Sequence, residues 1–146
     1  MIISFFGHAN FSCDEQFFIQ TVQTLQEIIG DSEVEFFVGS YGNFDSFGLK
    51  CAKEIKLQRA DVKITRVTPY LNKEYAKDKL IDGNLYPEIE HVPPKFAIIK
   101  RNEWVIDKSD IVIFYMKFST KKTYDFYLYA KRKNKRIINL ADSPKL

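Results

Sequence analysis

Cysteine, histidine, proline and glycine are all scarce in this chain of 146 residues. The two cysteines, Cys13 and Cys51, and the two histidines, His8 and His91, fall in no CxxC or Cys/His ligand spacing. The sequence therefore predicts no metal site. Six glycines and five prolines leave no flexible low-complexity linker. Apolar runs such as IVIFYM (111–116) fall far short of the roughly 20 residues a membrane span needs. The start MIISFFGH lacks a basic leader, a long apolar run and a small-residue cleavage site, which predicts no signal peptide and a cytoplasmic location. Excess charge is also missing: 22 Lys and Arg against 19 Asp and Glu give +3, too little to argue for nucleic acid by itself.

What is present is ordinary globular balance, 45% hydrophobic and 28% charged, over a length that predicts a single domain, residues 1–146. Such a domain buries enough surface to hold a core without staples. Thirteen Phe and eight Tyr read first as core, because buried aromatics dominate core burial.

Strand and helix patterns alternate. Ile2 to Phe6 reads as a strand buried on both faces. Ser12 opens an S-x-x-E capping box with Glu15, and Phe18, Val22, Leu25 and Ile29 form one helical face that Gly30 ends. Val34 to Val38 is a second strand, followed by GSYGN and a helical stripe of Phe44, Phe47, Cys51 and Ile55. Val62 to Val67 is a third strand. Residues 70–93 read as a long loop with one short helix around Tyr75 to Leu80. Pro94 suits the first turn of a third helix carrying Ala97, Ile98, Trp104 and Val105 on one side. Ile111 to Tyr115 and Ile137 to Leu140 are further strands, flanking a helix with Tyr124, Tyr127, Leu128 and Lys131 along its seam. The pattern predicts an α/β fold: a Rossmann-like three-layer sandwich around a mainly parallel five-stranded sheet.

In such a sheet ligands bind beyond the carboxyl ends of the strands. The residues found there are Gly7 to Asn10, with His8 among them, then Gly39, Ser40, Tyr41, Gly42 and Asn43, then Thr68, Pro69 and Tyr70, then the stretch from Met116 to Lys122. GSYGNFD is a phosphate-loop candidate or a plain glycine turn feeding a helix; it matches neither G-x-G-x-x-G nor a Walker pattern. Asp45 is placed to cap that helix or to hold a ribose hydroxyl. His8 is a hydrogen-bonded loop residue or a phosphate contact. Arg101, on or beside an apolar stripe, either snorkels over Trp104 or reaches a ligand, with Asn102 beside it. Lys121 and Lys122 open the fourth helix, where cations are disfavoured unless an anion binds. The run Lys131, Arg132, Lys133, Lys135, Arg136 is a solvated helix end or a nucleic-acid patch.

The segments FFGHANFS, FFVGSYGNFDSFGLKCAKEIK, TPYL, YPEIEHVPPKFAIIKRNEWVIDKSDIVIFYM and YAKRKNKRIINL, taken together, resemble the SLOG superfamily. The likeness is nearest to its small stand-alone proteins of Gram-positive bacteria and their phages, and it covers nearly the whole chain. The resemblance implies a Rossmann-like fold that binds a nucleotide or nucleotide-derived ligand, usually as a homodimer. It implies that Gly7 and His8 line one pocket loop and Gly39, Tyr41, Gly42 and Asp45 a second. Arg101 and Asn102 would face the pocket from the third helix.

Two departures shape the expected function. Ala9 stands where the first loop of the family often carries an arginine. KFSTKKTYDFYLYA replaces the glycine-rich turn of the LOG-type phosphoribohydrolases, and Leu128 stands where their catalytic glutamate aligns. Ser119, Thr120, Lys121 and Lys122 are then candidate phosphate contacts. The expectation is a sensor or sequestering module that binds its ligand without turnover and needs no cofactor. An enzyme of N-glycosidic bonds, LOG-like or deoxyribosyltransferase-like, is the alternative, with Asp45, Glu88 and Glu90 as candidate carboxylates. DprA-like nucleic-acid binding is a third reading, and a membrane partner is not expected.

Overall fold

Period-two alternation along the strands builds the molecule. In β1 (Ile2–Gly7) Phe5 packs to one side and Phe6 to the other; in β2 (Glu35–Val38) Phe36 and Phe37 divide in the same way. A strand whose successive side chains are all apolar is buried on both faces, and both faces therefore need helices. In the computed structural model, which describes residues 1–117 and 121–142, α1 (Glu15–Ile29) and α2 (Asn43–Gln58) cover one face. The other is covered by α3 (Ala97–Lys108) and α4 (Lys121–Arg132). The remaining strands are β3 (Lys63–Val67), β4 (Gly83–Leu85), β5 (Ile111–Tyr115) and β6 (Arg136–Asn139). All pair in parallel, in the order β4-β3-β2-β1-β5-β6. This is a Rossmann-like three-layer α/β sandwich.

Among the described residues the sheet has six strands, not the expected five. The extra strand, β4, holds one apolar residue in three and pairs with β3 through the register Thr65 to Gly83, Arg66 to Asn84 and Val67 to Leu85. Backbone hydrogen bonding, rather than burial, makes it a strand. No helix forms over 75–80. The chain from Thr68 to Asp82 is instead an irregular strap, tied down where Lys53 pairs with Asp78 and where Lys56 reaches the Leu80 carbonyl at 3.1 Å and Asp82 at 2.5 Å.

Helix faces largely follow the expected stripes in α1 and α2: Phe18, Val22, Leu25 and Ile29, then Phe44, Phe47, Cys51 and Ile55, are all buried. Two faces rotate. In α3 the buried residues are Ala97, Arg101, Val105 and Ile106, while Ile98 is exposed and Trp104, half-buried, stacks on Phe37 at 5.8 Å. In α4 Thr123 and Ala130 are buried, with Phe126 and Tyr127 packed beside them, and Tyr124 lies at the rim. A 3-10 turn over Pro94–Phe96 precedes α3. One polar pair sits inside the core, Ser4 Oγ against Ser109 Oγ at 2.7 Å, and Ser109 also donates to the Val105 carbonyl.

The cap of α1 is Asp14, not Ser12. Its carboxylate accepts from the Phe17 N–H at 2.9 Å, and the helix starts at Glu15. The chain reaches that point from Phe11, a buried anchor whose N–H bonds back to the His8 carbonyl, so Ser12 is left exposed ahead of the first turn. Asp14→Ala is expected to cost about 1 kcal/mol in urea unfolding and Ser12→Ala next to nothing; the reverse ranking would restore Ser12 as the cap.

Candidate functional site

Strand order reverses between β1 and β5, and beyond their carboxyl ends an open α/β sheet leaves a crevice. Gly7 of β1 pairs there with Tyr115 of β5. His8 follows and meets Tyr115 edge-on at 6.1 Å, and Phe11 folds under both, 4.7 Å from the Tyr115 ring. Gly7 is needed for packing: a Cβ on it would lie 2.5 Å from the ring of Phe44, in the first turn of α2.

The loop after β2 closes against the loop after β1. The Asn43 N–H donates to the Ala9 carbonyl at 2.8 Å. Gly42, the N-cap of α2, has φ +89°, and a Cβ there would come within 2.8 Å of the Ala9 Cα. Only glycine meets both demands. No side chain caps α2, so its positive end is left to backbone groups and to Asp45 in its first turn. The Asp45 carboxylate accepts from the Tyr41 N–H at 3.0 Å and so fixes the loop. Ser40 and Tyr41 stand outward, Tyr41 with 80% of its surface exposed.

Arg101 enters from the opposite layer. It is only 7% exposed, yet three guanidinium nitrogens are engaged. Nε donates to the Val67 carbonyl at 2.8 Å, Nη2 to the Val38 carbonyl at 3.2 Å and Nη1 to Asn102 Oδ1 at 2.8 Å. It therefore ties together the carboxyl ends of β2 and β3. Asp45 and Arg101 both crowd Gly39 where a side chain would start: a Cβ there would be 2.5 Å from Asp45 Oδ2 and 3.3 Å from Arg101 Nη2. Burial pushes the Asp45 carboxyl above the usual carboxylate range, against the opposing pull of the Tyr41 N–H and of Arg101. Burial likewise lowers the guanidinium from its usual value, and Asp45 opposes that shift.

Gly7, His8, Gly39, Ser40, Tyr41, Gly42, Asp45, Arg101 and Asn102 thus gather at one edge of the sheet. Ser119 and Thr120 lie outside the described residues, as does the side chain of Lys121. Beyond β3 the hydroxyls of Thr68 and Tyr75 meet at 2.6 Å; sequence reasoning placed Thr68 at this strand end but missed Tyr75. Among the described residues no cluster of three or more His, Cys, Asp or Glu stands ready for a metal ion. Cys51 is sealed in the core with its thiol pushed up to about 12, mainly by burial. The basic run at the end of α4 is partly engaged with α3: Lys133 pairs with Asp107 at 3.7 Å, and Lys135 donates to the Asp107 carbonyl at 2.9 Å.

Two concavities open elsewhere. One of about 480 Å³ beside β6 is walled by Tyr127, Lys131, Lys135 and Asn139; the other, about 370 Å³, lies beside β4. The residues gathered at the crevice line neither. Compared with known proteins, the chain matches no family model and no curated sequence.

Because Asp45 titrates higher folded than unfolded, its neutral form stabilises the fold. That contribution is complete below the unfolded value near 3.9 and is lost as pH rises through the folded value. Asp45→Asn should remove it. The stability of the native chain relative to this variant should therefore fall as pH climbs from about 3.9 through the acid range in urea titrations; a rising difference would reverse the sign of the shift.

Proposed function

We propose that the chain binds a nucleotide or nucleotide-derived ligand at the carboxyl edge of its sheet, as a sensor or sequestering module without turnover. The observation that carries this reading is the pairing of a tightly held polar floor with an open glycine loop. Arg101 and Asp45 lie beneath Gly39 to Gly42 at the edge where strand order reverses. Glycines at 39 and 42 keep bulk off the loop at those two points, so an anionic ligand can approach the backbone at the positive end of α2. Tyr41, exposed above the loop, supplies a ring on which a base can stack. The resemblance to the SLOG superfamily supports the same ligand class. Ser119, Thr120 and Lys121 complete the proposal as phosphate contacts from the loop after β5.

Leu128, half-buried on α4, stands where a LOG-type hydrolase would need its glutamate, which favours binding over turnover. One observation favours the N-glycosidic alternative: the raised carboxyl of Asp45 suits a general acid. Glu88 and Glu90 are exposed in the connection before α3. No helix among the described residues is long and apolar enough to cross a membrane. The proposal places the protein in the cytoplasm as a homodimer, and Phe96, Ile98 and Ile99, exposed at the start of α3, offer apolar surface for a second copy.

The test is incubation with mononucleotides, dinucleotides, cyclic nucleotides and ADP-ribose species, followed by spin filtration and mass spectrometry of both fractions. One intact nucleotide should be retained, and Tyr41→Ala should release it while leaving stability within about 0.5 kcal/mol. Free base accumulating with time would establish the enzyme instead, and base release that survives Asp45→Ala would remove Asp45 as its acid.

A further inference from the structure

Arg66 is the one charged side chain in β3 that is not at the strand's start, and its position is unusual. It lies one strand in from the sheet edge, paired in register with Asn84 of the edge strand β4, on the face that Ile64 turns towards α1 and α2. Its guanidinium lies over the Tyr75 ring, 4.5 Å from the centroid. Its Nε is sealed from solvent and has no hydrogen-bond partner. Nη1 reaches Asn84 Oδ1 only at 3.4 Å, the outer limit of such a bond. A buried guanidinium N–H is seldom left unpaired in a native protein.

The concavity of about 370 Å³ beside β4 is built around this group. Arg66, Tyr75, Lys77, Lys79 and Asn84 form its walls. The acidic group on that wall, Asp78, is paired with Lys53. Asp78 also feels the Arg66 charge, so the wall with Arg66, Lys77 and Lys79 carries a net positive charge, and among the described residues neither of these lysines has an ion-pair partner; Lys73 adds a further cation above the Tyr75 ring at 5.5 Å. The site is held in shape: Tyr75 is fixed through Thr68, and the strap is pinned to α2 at Asp78, Leu80 and Asp82.

We infer that this edge concavity is an anion site for the phosphate or diphosphate group of a small phosphorylated molecule. Arg66 would offer its planar fork to paired oxygens, and Lys77 and Lys79 would neutralise the remaining charge. Asn84 supplies an amide at the rim. Arg66 makes no contact with the crevice residues among the bonds described above, and the inference does not depend on a nucleotide binding there.

The experiment is a titration of the full chain with inorganic pyrophosphate in 150 mM salt, followed by amide NMR shifts. Saturable shifts should centre on residues 75–84. Arg66→Met should weaken binding at least tenfold, and Arg66→Lys, which keeps the charge but loses the fork, should fall between. Lys79→Ala provides a second variant should Arg66→Met fail to fold, and is expected to weaken binding several-fold. Absence of saturable shifts would overturn the inference, as would equal binding in Arg66→Met or Lys79→Ala, or shifts centred on residues 39–45. The last result would assign the anion to the crevice and leave that separate reading standing.

Discussion

A single buried guanidinium connects the parts of this fold that have least reason to stay together. Parallel strands are joined laterally by backbone hydrogen bonds, but those bonds stop at the carboxyl ends, where Val38 and Val67 turn their carbonyls outward. Arg101 supplies both with a donor and holds its own neighbour Asn102 with a third nitrogen. Burying a charge is unfavourable unless it is paired and hydrogen-bonded. Arg101 meets the second condition through the strand carbonyls and Asn102, and the nearby Asp45 carboxyl opposes the effect of burial on it.

The loops above inherit their shape from that floor. Asp45 is drawn toward Arg101 from one side and holds the Tyr41 N–H on the other, which sets the path of Gly39 to Gly42. The loop after β1 must then accept Gly42 against Ala9 and Phe44 against Gly7. Each close approach removes room for a side chain, so at Gly7, Gly39 and Gly42 the edge presents backbone rather than bulk. A glycine-bearing loop feeding a helix start that no side chain caps is the physical basis for proposing an anionic ligand there.

Much of this was legible in the residues because the periodicities are strong. Phe18, Val22, Leu25 and Ile29 leave one solution for α1, and Phe44, Phe47, Cys51 and Ile55 one for α2. Glycine and aspartate chemistry pointed to Gly39, Gly42 and Asp45 as a turn feeding a helix. Strand β4 was not legible, since GNL has neither alternation nor burial and exists by pairing with β3. The cap at Asp14 was hidden because Ser12 offers the same chemistry two residues earlier, and only the anchored Phe11 decides between them. Arg101 stood out as a charge on an apolar stripe, but its partners lie 34 and 63 residues away and no local pattern encodes them. Arg66 and Tyr75 were passed over for the same reason, one inside a strand pattern and one at the start of a stretch read as a short helix that does not form.

The measurement closest to the centre of this account is the urea stability of Arg101→Met. The methionine keeps much of the apolar stem but leaves the Val38 and Val67 carbonyls without a donor and Asp45 without its cation. The account predicts a loss of about 3 kcal/mol or more, the scale expected when a buried charge network loses one member. Stability within about 0.5 kcal/mol of the native chain, the range of an ordinary surface change, would contradict it. The floor of the crevice would then be held by packing alone.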